Sequence, residues 1–243
     1  VNEDEIIAEK YTGNIPNNGE LLTVFKSDLL LEEADYIKRK TYLLGTDRYG
    51  RDLLSRLMAG TWVSFVVGLI SIVISLLIGI SLGSIAGYFG GKLDDLIMWF
   101  INVIWSIPTL LLVIAMILAL GKGFWQVFVA VGLTMWVEVA RVVRGQVLGT
   151  KQMEFIEAGK SFGFSNFRII FRHILPNITG PIIVISASNF AAAILIEAGL
   201  SFLGLGAQPP QATWGKMISE HKGYIITGDA YLAMFPGIAI CLL

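Results

Sequence analysis

Four lysines that directly follow a glycine are the residues in this sequence best suited to binding a phosphate group. A phosphate-binding loop needs another glycine five residues before such a pair, so that successive backbone N–H groups can surround the phosphate. That upstream glycine is missing in all four cases. The pairs are Gly91-Lys92, Gly121-Lys122, Gly159-Lys160 and Gly215-Lys216. The chain is therefore not expected to bind ATP through a loop of this kind.

Other side chains that could do chemistry are few. The sequence has two histidines and one cysteine, Cys241, too few for a disulfide framework or a cysteine-rich metal site. No catalytic triad and no pair of carboxylates at a useful spacing is evident. Glu138, Glu154 and Glu157 are interpreted as charges at helix ends and in a loop. The sequence thus predicts no catalytic residue and no metal site, and the chain is not expected to be an enzyme.

The charged residues are sparse and unevenly placed. They make up 15% of the 243 residues, and the mean hydropathy is +0.70, whereas a soluble domain carries about 25% charge. The net charge of −1 implies no general attraction to nucleic acid. Several uncharged runs reach the length of roughly 20 residues that crosses a bilayer. They lie between Arg56 and Lys92, from 96 to 121 and from 174 to 196.

These runs predict an all-α, polytopic membrane bundle. The predicted spans are about 62–88, 96–120, 124–143 and 178–200, followed by 230–243 as the truncated start of a fifth. The polar segment 1–57 is expected to lie outside the cytoplasm, with short helices within 22–37, and 58–243 forms the transmembrane domain. Pro108 should kink the second span, and Trp214 should anchor a loop at the membrane surface.

A charged stretch, Glu154–Asn177, lies between the predicted third and fourth spans. It predicts a short helix before Gly163 and a second helix after it, N-capped by Ser165. An apolar face of this second helix follows at i, i+3, i+4 and i+7. Its members are Phe167, Ile170, Phe171 and Ile174. Leu175-Pro176 is expected to end the helix.

Basic residues near this stretch predict the orientation of the chain. Short loops rich in lysine and arginine face the cytoplasm, so that 144–177 is expected inside the cell. Counting spans places residues 1–60 and 204–228 on the opposite side. An external start without a signal peptide leads us to expect a further transmembrane helix before Val1.

Intramembrane side chains give two further expectations. Small residues recur nearly every fourth position of the first span and predict close packing against another helix. They are Gly68, Ser71, Ser75, Gly79, Gly83 and Gly87. Four larger polar or aromatic residues could face a translocation path, namely Asn102, Trp105, Asn189 and Glu197. For Asn102 a helix–helix hydrogen bond is the alternative, and for Glu197 the alternatives are a packed, hydrogen-bonded position or one at the membrane surface.

Three motifs occur in order along the chain. Glu157-Ala158, Gly163 and Leu175-Pro176 resemble the "EAA" loop of one known family, the permease subunits of ABC importers, with Gly159 in place of the second alanine and His173 in place of an isoleucine. Residues 45–56, GTDRYGRDLLSR, and 200–215, LSFLGLGAQPPQATWG, resemble signatures of the dipeptide/oligopeptide branch of that family, specifically its second-permease (C-type) subunit.

The resemblance implies a function and partners. The chain would be a multi-pass permease of the bacterial cytoplasmic membrane, importing peptides by alternating access. It would pair with a second homologous permease, two ATPase subunits that hold ATP and Mg, and an extracytoplasmic binding protein. Its coupling contact with the ATPase would be Phe155, Ile156, Glu157, Ala158, Gly159, Lys160, Ser161, Phe162, Gly163 and Phe164. Nickel or glutathione import by the same family is the alternative, and a polytopic membrane enzyme or a channel or ion-coupled carrier is a remoter one.

Overall fold

The structure, a computed structural model, describes residues 5–9, 21–25, 41–121, 123–206 and 211–242. Its backbone contacts divide the chain into two compact units, Val1–Arg56 and Leu57–Leu243.

Two strands precede a long series of helices in the described residues. The strands are β1 (Glu5–Glu9) and β2 (Leu21–Phe25). The helices are α1 (Leu53–Phe89), α2 (Gly91–Trp105), α3 (Thr109–Leu120), α4 (Phe124–Thr150), α5 (Glu154–Ser161), α6 (Asn166–Ile169), α7 (Leu175–Asn177), α8 (Thr179–Phe202), α9 (Trp214–His221), α10 (Tyr224–Thr227) and α11 (Tyr231–Cys241). A π-helical segment, Ile170–Ile174, joins α6 to α7.

The small hairpin in the first unit was not expected. β1 and β2 pair in antiparallel register, with Ile7 opposite Thr23. Both segments carry the β-branched residues that favour a pleated surface. Of the stretch 22–37, in which helices were predicted, residues 22–25 are strand, and 26–37 lie outside the described residues. The all-α expectation is therefore wrong for this hairpin.

Asp47 organises the turn that precedes α1. Its Oδ1 accepts the N–H of Arg51 at 3.0 Å, and its Oδ2 lies 2.7 Å from the Nε of the same arginine. Gly50, at φ +71, makes the left-handed bend that a side chain would oppose. Asp52 then accepts the N–H of Ser55 at 3.3 Å. Asp47 and Asp52 thus cap the turn and the start of α1, and Gly50 makes the bend between them.

Among the described residues, three helices, α1, α4 and α8, are long and apolar enough to cross a membrane. The predicted span 96–120 is instead divided into α2 and α3, whose axes are bent by 88°. Pro108 lies at the break with φ −54 and ψ 125, an extended conformation that no helix can pass through. The predicted kink is thus a complete break. The predicted count of four full spans holds only when the bent pair is counted as one.

The glycines in the second half of α1 lie directly against α4, whereas Gly68 faces Phe190 of α8. A Cβ placed on Gly83 would be 2.5 Å from the carbonyl oxygen of Ala140, and one on Gly79 would be 2.5 Å from Cβ of Val139. A Cβ on Gly87 would meet α4 one turn further along that helix. Only glycine allows two helix backbones to approach this closely. The predicted packing face of the first span is confirmed.

A second close contact joins α8 and α9. It lies at the end of α1 that is opposite Phe89. We call this region the closed end and define it by Leu57, 197–201 and 213–217. A Cβ on Gly215 would lie 2.0 Å from the carbonyl oxygen of Ala198. Trp214 is buried, and its Nε1 donates to the carbonyl of Leu57 at 3.0 Å. The predicted membrane-surface anchor is therefore wrong, because the indole is enclosed by protein.

Candidate functional site

The elbow, which we define as residues 154–177, turns at Gly163. This glycine has φ +76, and its N–H donates to the carbonyl of Lys160 at 2.9 Å. The second helix begins three residues later, at Asn166. Ser165 accepts the N–H of Arg168 through its hydroxyl at 3.4 Å, so that the predicted N-cap is confirmed.

Pro176 does not end the second helix, contrary to the prediction. The π-helical segment passes directly into α7, in which Pro176 occupies the first turn. Proline is tolerated there because its missing N–H is not needed for an intrahelical bond. The helix breaks later, at Ile178, where φ is −106 and ψ is 11.

The π-helical segment also divides the apolar face that was predicted for the second helix. Ile170 and Ile174 are buried, together with their neighbour Ile169. Phe167 and Phe171 are instead exposed, with their ring centroids 4.3 Å apart. A π turn holds more residues than an α turn and rotates the side chains within and after it, so the 3.6-residue period does not apply to Phe171. The elbow therefore carries an exposed aromatic pair that the helical period placed inside.

The ten residues of the predicted coupling contact divide into anchoring and exposed groups. Ile156 and Gly159 are buried, and Ile156 packs in a core cluster with residues of α4 and the second elbow helix. Phe164 is half-buried, with the guanidinium carbon of Arg168 4.0 Å from its ring centroid and the His173 ring 5.6 Å away. The remaining seven are exposed: Phe155, Glu157, Ala158, Lys160, Ser161, Phe162 and Gly163.

Three contacts fasten the elbow end to the spans. The phenol of Tyr88, at the end of α1, donates to Oδ1 of Asn166 at 2.8 Å. The ammonium of Lys151 lies 5.7 Å from the Tyr88 ring centroid. Arg144 of α4 makes a bidentate pair with Asp94 of α2, at 2.5 and 2.6 Å. The elbow, the α1–α2 turn and the end of α4 therefore lie at one end of the bundle.

Two of the four predicted path residues meet at Arg141. Asn102 is exposed, and its Oδ1 accepts from Nη2 of Arg141 at 2.6 Å. The Arg141 guanidinium carbon lies 3.6 Å from the centroid of the Trp105 ring. Asn102 thus makes the helix–helix hydrogen bond that was the alternative to a path-facing position, although it is also exposed.

The other two path residues, Asn189 and Glu197, are buried in α8. Oε1 of Glu197 accepts from the Ser201 hydroxyl at 2.6 Å. The amide nitrogen of Asn189 has no hydrogen-bond partner among the described residues. Of the alternatives for Glu197, the structure has the packed, hydrogen-bonded position.

Glu138 is the residue that the sequence interpretation misplaced. The sequence predicts a charge at the end of a helix, but α4 runs from Phe124 to Thr150 and contains Glu138 near the middle. Its side chain is exposed. The helical spacing gave a signal, because Thr134, Glu138, Arg141 and Gly145 follow at i, i+4, i+7 and i+11 and share one face. This face is a polar stripe along an otherwise largely buried helix.

A cavity of about 160 Å³ lies beside the stripe, at the bend between α2 and α3. Trp105 and Thr109 line it from the two sides of the bend, Thr134 and Glu138 from α4, and Ile196 from α8. A carboxylate, two hydroxyls and an indole therefore converge on one space within the apolar spans.

These features define a class: a polytopic membrane protein with a polar stripe among its spans and an aromatic elbow at one end. Residues 79–243 match the family described as "Binding-protein-dependent transport system inner membrane component". The chain belongs to this family, so that the predicted family and the bacterial inner membrane location are confirmed.

The curated relatives are transport permeases. The chain is 43% identical over 212 residues to the dipeptide transport system permease protein DppC of Bacillus subtilis, covering 87% of this chain and 66% of that protein. It is 38% identical to the oligopeptide transport system permease protein OppC of the same organism, covering 87% and 69%. It is 40% identical to the glutathione transport system permease protein GsiD of Pectobacterium atrosepticum, covering 82% and 66%. The chain thus spans 66% to 69% of these relatives' length.

Solved structures show the same fold. An inward-facing MetNI methionine ABC transporter gives a TM-score of 0.64 at 19% identity, covering 78% of this chain and 92% of that one. An amino acid ABC transporter with histidines gives 0.53 at 15% identity, covering 78% and 92%. The predicted helical bundle of the ABC-importer permease kind is confirmed.

Proposed function

We propose that this chain is the permease subunit of an ATP-driven importer that carries peptides across the cytoplasmic membrane. The elbow carries this proposal, because it holds exposed aromatic side chains at the end of a membrane bundle. Phe162 is 79% exposed there. An exposed aromatic cluster on a soluble face is typical of a surface that a partner protein covers. The names of the related dipeptide and oligopeptide permeases support peptides as the cargo.

The proposed coupling contact is residues 155–164. Phe155 and Phe162 would enter an apolar groove of an ATPase subunit, and Glu157 and Lys160 would contribute charges at its edge. Ile156 instead packs into the core of the bundle and anchors the elbow to it, while Gly159 is buried beneath the Phe164 ring. Force applied to the exposed face would then pass into the bundle through buried side chains rather than through a flexible loop.

The contacts at the elbow end offer a route for that force. Movement of α6 would be transmitted to α1 through Asn166 and Tyr88, which are joined by a hydrogen bond. The Arg144–Asp94 pair joins α4 to α2, so that these spans would tilt together. Closure of the ATPase pair around ATP would in this way switch the bundle between outward and inward access.

The partners of the complete transporter are also part of the proposal. They are a second homologous permease, two ATPase subunits that bind ATP and Mg, and an extracytoplasmic binding protein that delivers cargo. The exposed apolar side chains of the spans, such as Leu69, Trp99 and Leu118, fit contacts with lipid and with the second permease.

The proposed path follows the polar stripe of α4, with Asn102 and Trp105 at the bend beside it. Burial of Asn189 and Glu197 favours a packing role for both. Glutathione is a second candidate cargo, because the 40% identical GsiD is named as a glutathione transport permease. Glutathione is itself a tripeptide, so the chemistry of the path would be the same.

Two substitutions in the elbow test the proposal. Glu157→Lys and Gly163→Pro should each reduce ATP-dependent uptake of labelled dipeptide to below a tenth, in vesicles that contain the whole transporter. Glu157→Lys places a positive charge where the proposed contact has a negative one. Gly163→Pro cannot adopt φ +76, since proline fixes φ near −65°. Immunoblotting of membranes should find both variants inserted at normal levels.

Lys92→Glu is the control, because it reverses an exposed charge at the same end of the bundle but outside the elbow. Its uptake should stay within twofold of the unmodified transporter. Normal uptake by both elbow variants would contradict the coupling proposal.

A further inference from the structure

We propose that Glu138 binds the α-ammonium group of a peptide during its passage through the membrane. The proposal rests on the proposed function, because it takes the cargo to be a peptide. It assigns a ligand chemistry to a residue that belongs to none of the three family motifs.

The position of Glu138 places its charge deep in the bundle. Fourteen residues of α4, Phe124–Val137, precede it and twelve, Val139–Thr150, follow it. At a rise of about 1.5 Å per residue, either end of the helix is roughly 18–21 Å away. An acid within a membrane bundle faces protein or a wet cavity.

No side chain in the part of the chain that the structure describes pairs with Glu138. Glu138 has neither a hydrogen bond nor an ion pair there. Arg141, one turn further along the same face, is held by Asn102 and by the Trp105 ring. The arginine is thus fixed beside the site without neutralising the carboxylate, which is left open to a cation from outside the chain.

The cavity matches an ammonium group in size and in chemistry. Its volume of about 160 Å³ exceeds the roughly 30 Å³ that a water molecule occupies in the liquid, but it is too small for a whole peptide. An ammonium group has three N–H donors and needs three acceptors. The Glu138 carboxylate can provide two of them. The Thr134 hydroxyl, which donates its proton to the Val131 carbonyl at 2.8 Å, keeps its lone pairs for the third.

Arg141 complements this arrangement by its charge. A cargo peptide carries an ammonium at one end and a carboxylate at the other. Glu138 and Arg141 are three residues apart on one helical face, so that the two ends of a short peptide meet opposite charges along the stripe. Glu138 therefore favours peptides with a free amino terminus, since an acetylated terminus carries no positive charge.

A cysteine at Thr109 reports on the site without removing the carboxylate. Thr109 lines the cavity from α3, and Cys241 is the single native cysteine, so that Cys241→Ser gives a cysteine-free background. In the assembled, nucleotide-free transporter, a water-soluble methanethiosulfonate should label T109C. Alanyl-phenylalanine at millimolar concentration should slow that labelling at least fivefold, whereas N-acetyl-alanyl-phenylalanine should leave it unchanged.

Two variants at Glu138 complete the experiment. Glu138→Gln should abolish protection by the free dipeptide, and Glu138→Asp should keep at least half of it. Asp95→Asn, which removes an exposed carboxylate elsewhere, should keep all of it. The proposal is overturned if the reagent does not reach T109C, if the acetylated peptide protects equally, or if the glutamine variant is still protected.

Failure of the proposed function gives a different result. In that case the unmodified transporter shows no stimulation of ATP hydrolysis by its peptide-loaded binding protein. With stimulation present and protection absent, the peptide transport role stands and only the assignment to Glu138 is lost.

Discussion

The two ends of the bundle are built in opposite ways. At the closed end, Trp214 is buried, Gly215 lies against the backbone of α8, and Glu197 accepts from the Ser201 hydroxyl. At the elbow end, Phe162, Phe167 and Phe171 are exposed. Aromatic and polar groups are thus enclosed at one end and presented at the other.

The difference shows at which end the polar and aromatic groups find their contacts within this chain. A buried carboxyl and an indole N–H at the closed end find partners inside the same chain, as buried polar groups require. The exposed aromatic rings of the elbow would gain free energy from burial, roughly 25 cal/mol for each Å² removed from water. Substitutions at the closed end should therefore change stability, and substitutions on the elbow surface should change transport.

The largest expected effect is at the closed end. In Gly215→Ala, the new methyl would lie 2.0 Å from the carbonyl oxygen of Ala198, a backbone atom that cannot rotate away. Overpacking of this kind costs 1–3 kcal/mol or more. We expect the apparent Tm of the purified protein in detergent to fall by about 10 °C, or the folded protein to be lost.

Gly199→Ala is the matched control for that substitution. It lies in α8 beside Ala198, and its added Cβ meets nothing within 4 Å. Alanine in place of a helical glycine stabilises by about 0.5–1 kcal/mol. If both variants melted at the same temperature, the tight contact between α8 and α9 would be wrong.

A smaller effect is expected from Ser201→Ala. It removes the hydroxyl that donates to Glu197 and leaves a buried carboxyl oxygen without that donor. The cost should be about 1–3 kcal/mol, measured as a lower apparent Tm. In Ser81→Ala, by contrast, an exposed hydroxyl is lost that bonds only to Leu77 in its own helix, and the Tm should not change. Equal Tm values for the two variants would argue against a structural role of the buried pair.

Local rules predicted much of the fold. The cap at Ser165 and the turn at Gly163 follow from single residues and their neighbours. The packing of α1 on α4 followed from a spacing of four between small residues. The structure has each of these features because no distant contact opposes it.

The features that were missed depend on distant contacts or on a changed period. Trp214 could not be placed inside the protein without its acceptor at Leu57, 157 residues away. Phe171 was placed on the inner face by a 3.6-residue period that the π-helical segment breaks. Glu138 was assigned to a helix end because charge was taken to mark the membrane boundary, whereas α4 continues to Thr150.

Cross-linking from Phe162 tests the elbow contact most directly. A photoreactive phenylalanine analogue at this position, irradiated in intact cells that contain the complete transporter, should cross-link to the ATPase subunit. The same analogue at Leu69, an exposed apolar position within α1, should not. Cross-linking of position 162 to the extracytoplasmic binding protein, or to lipid alone, would contradict an elbow that faces the cytoplasm and is moved by an ATPase.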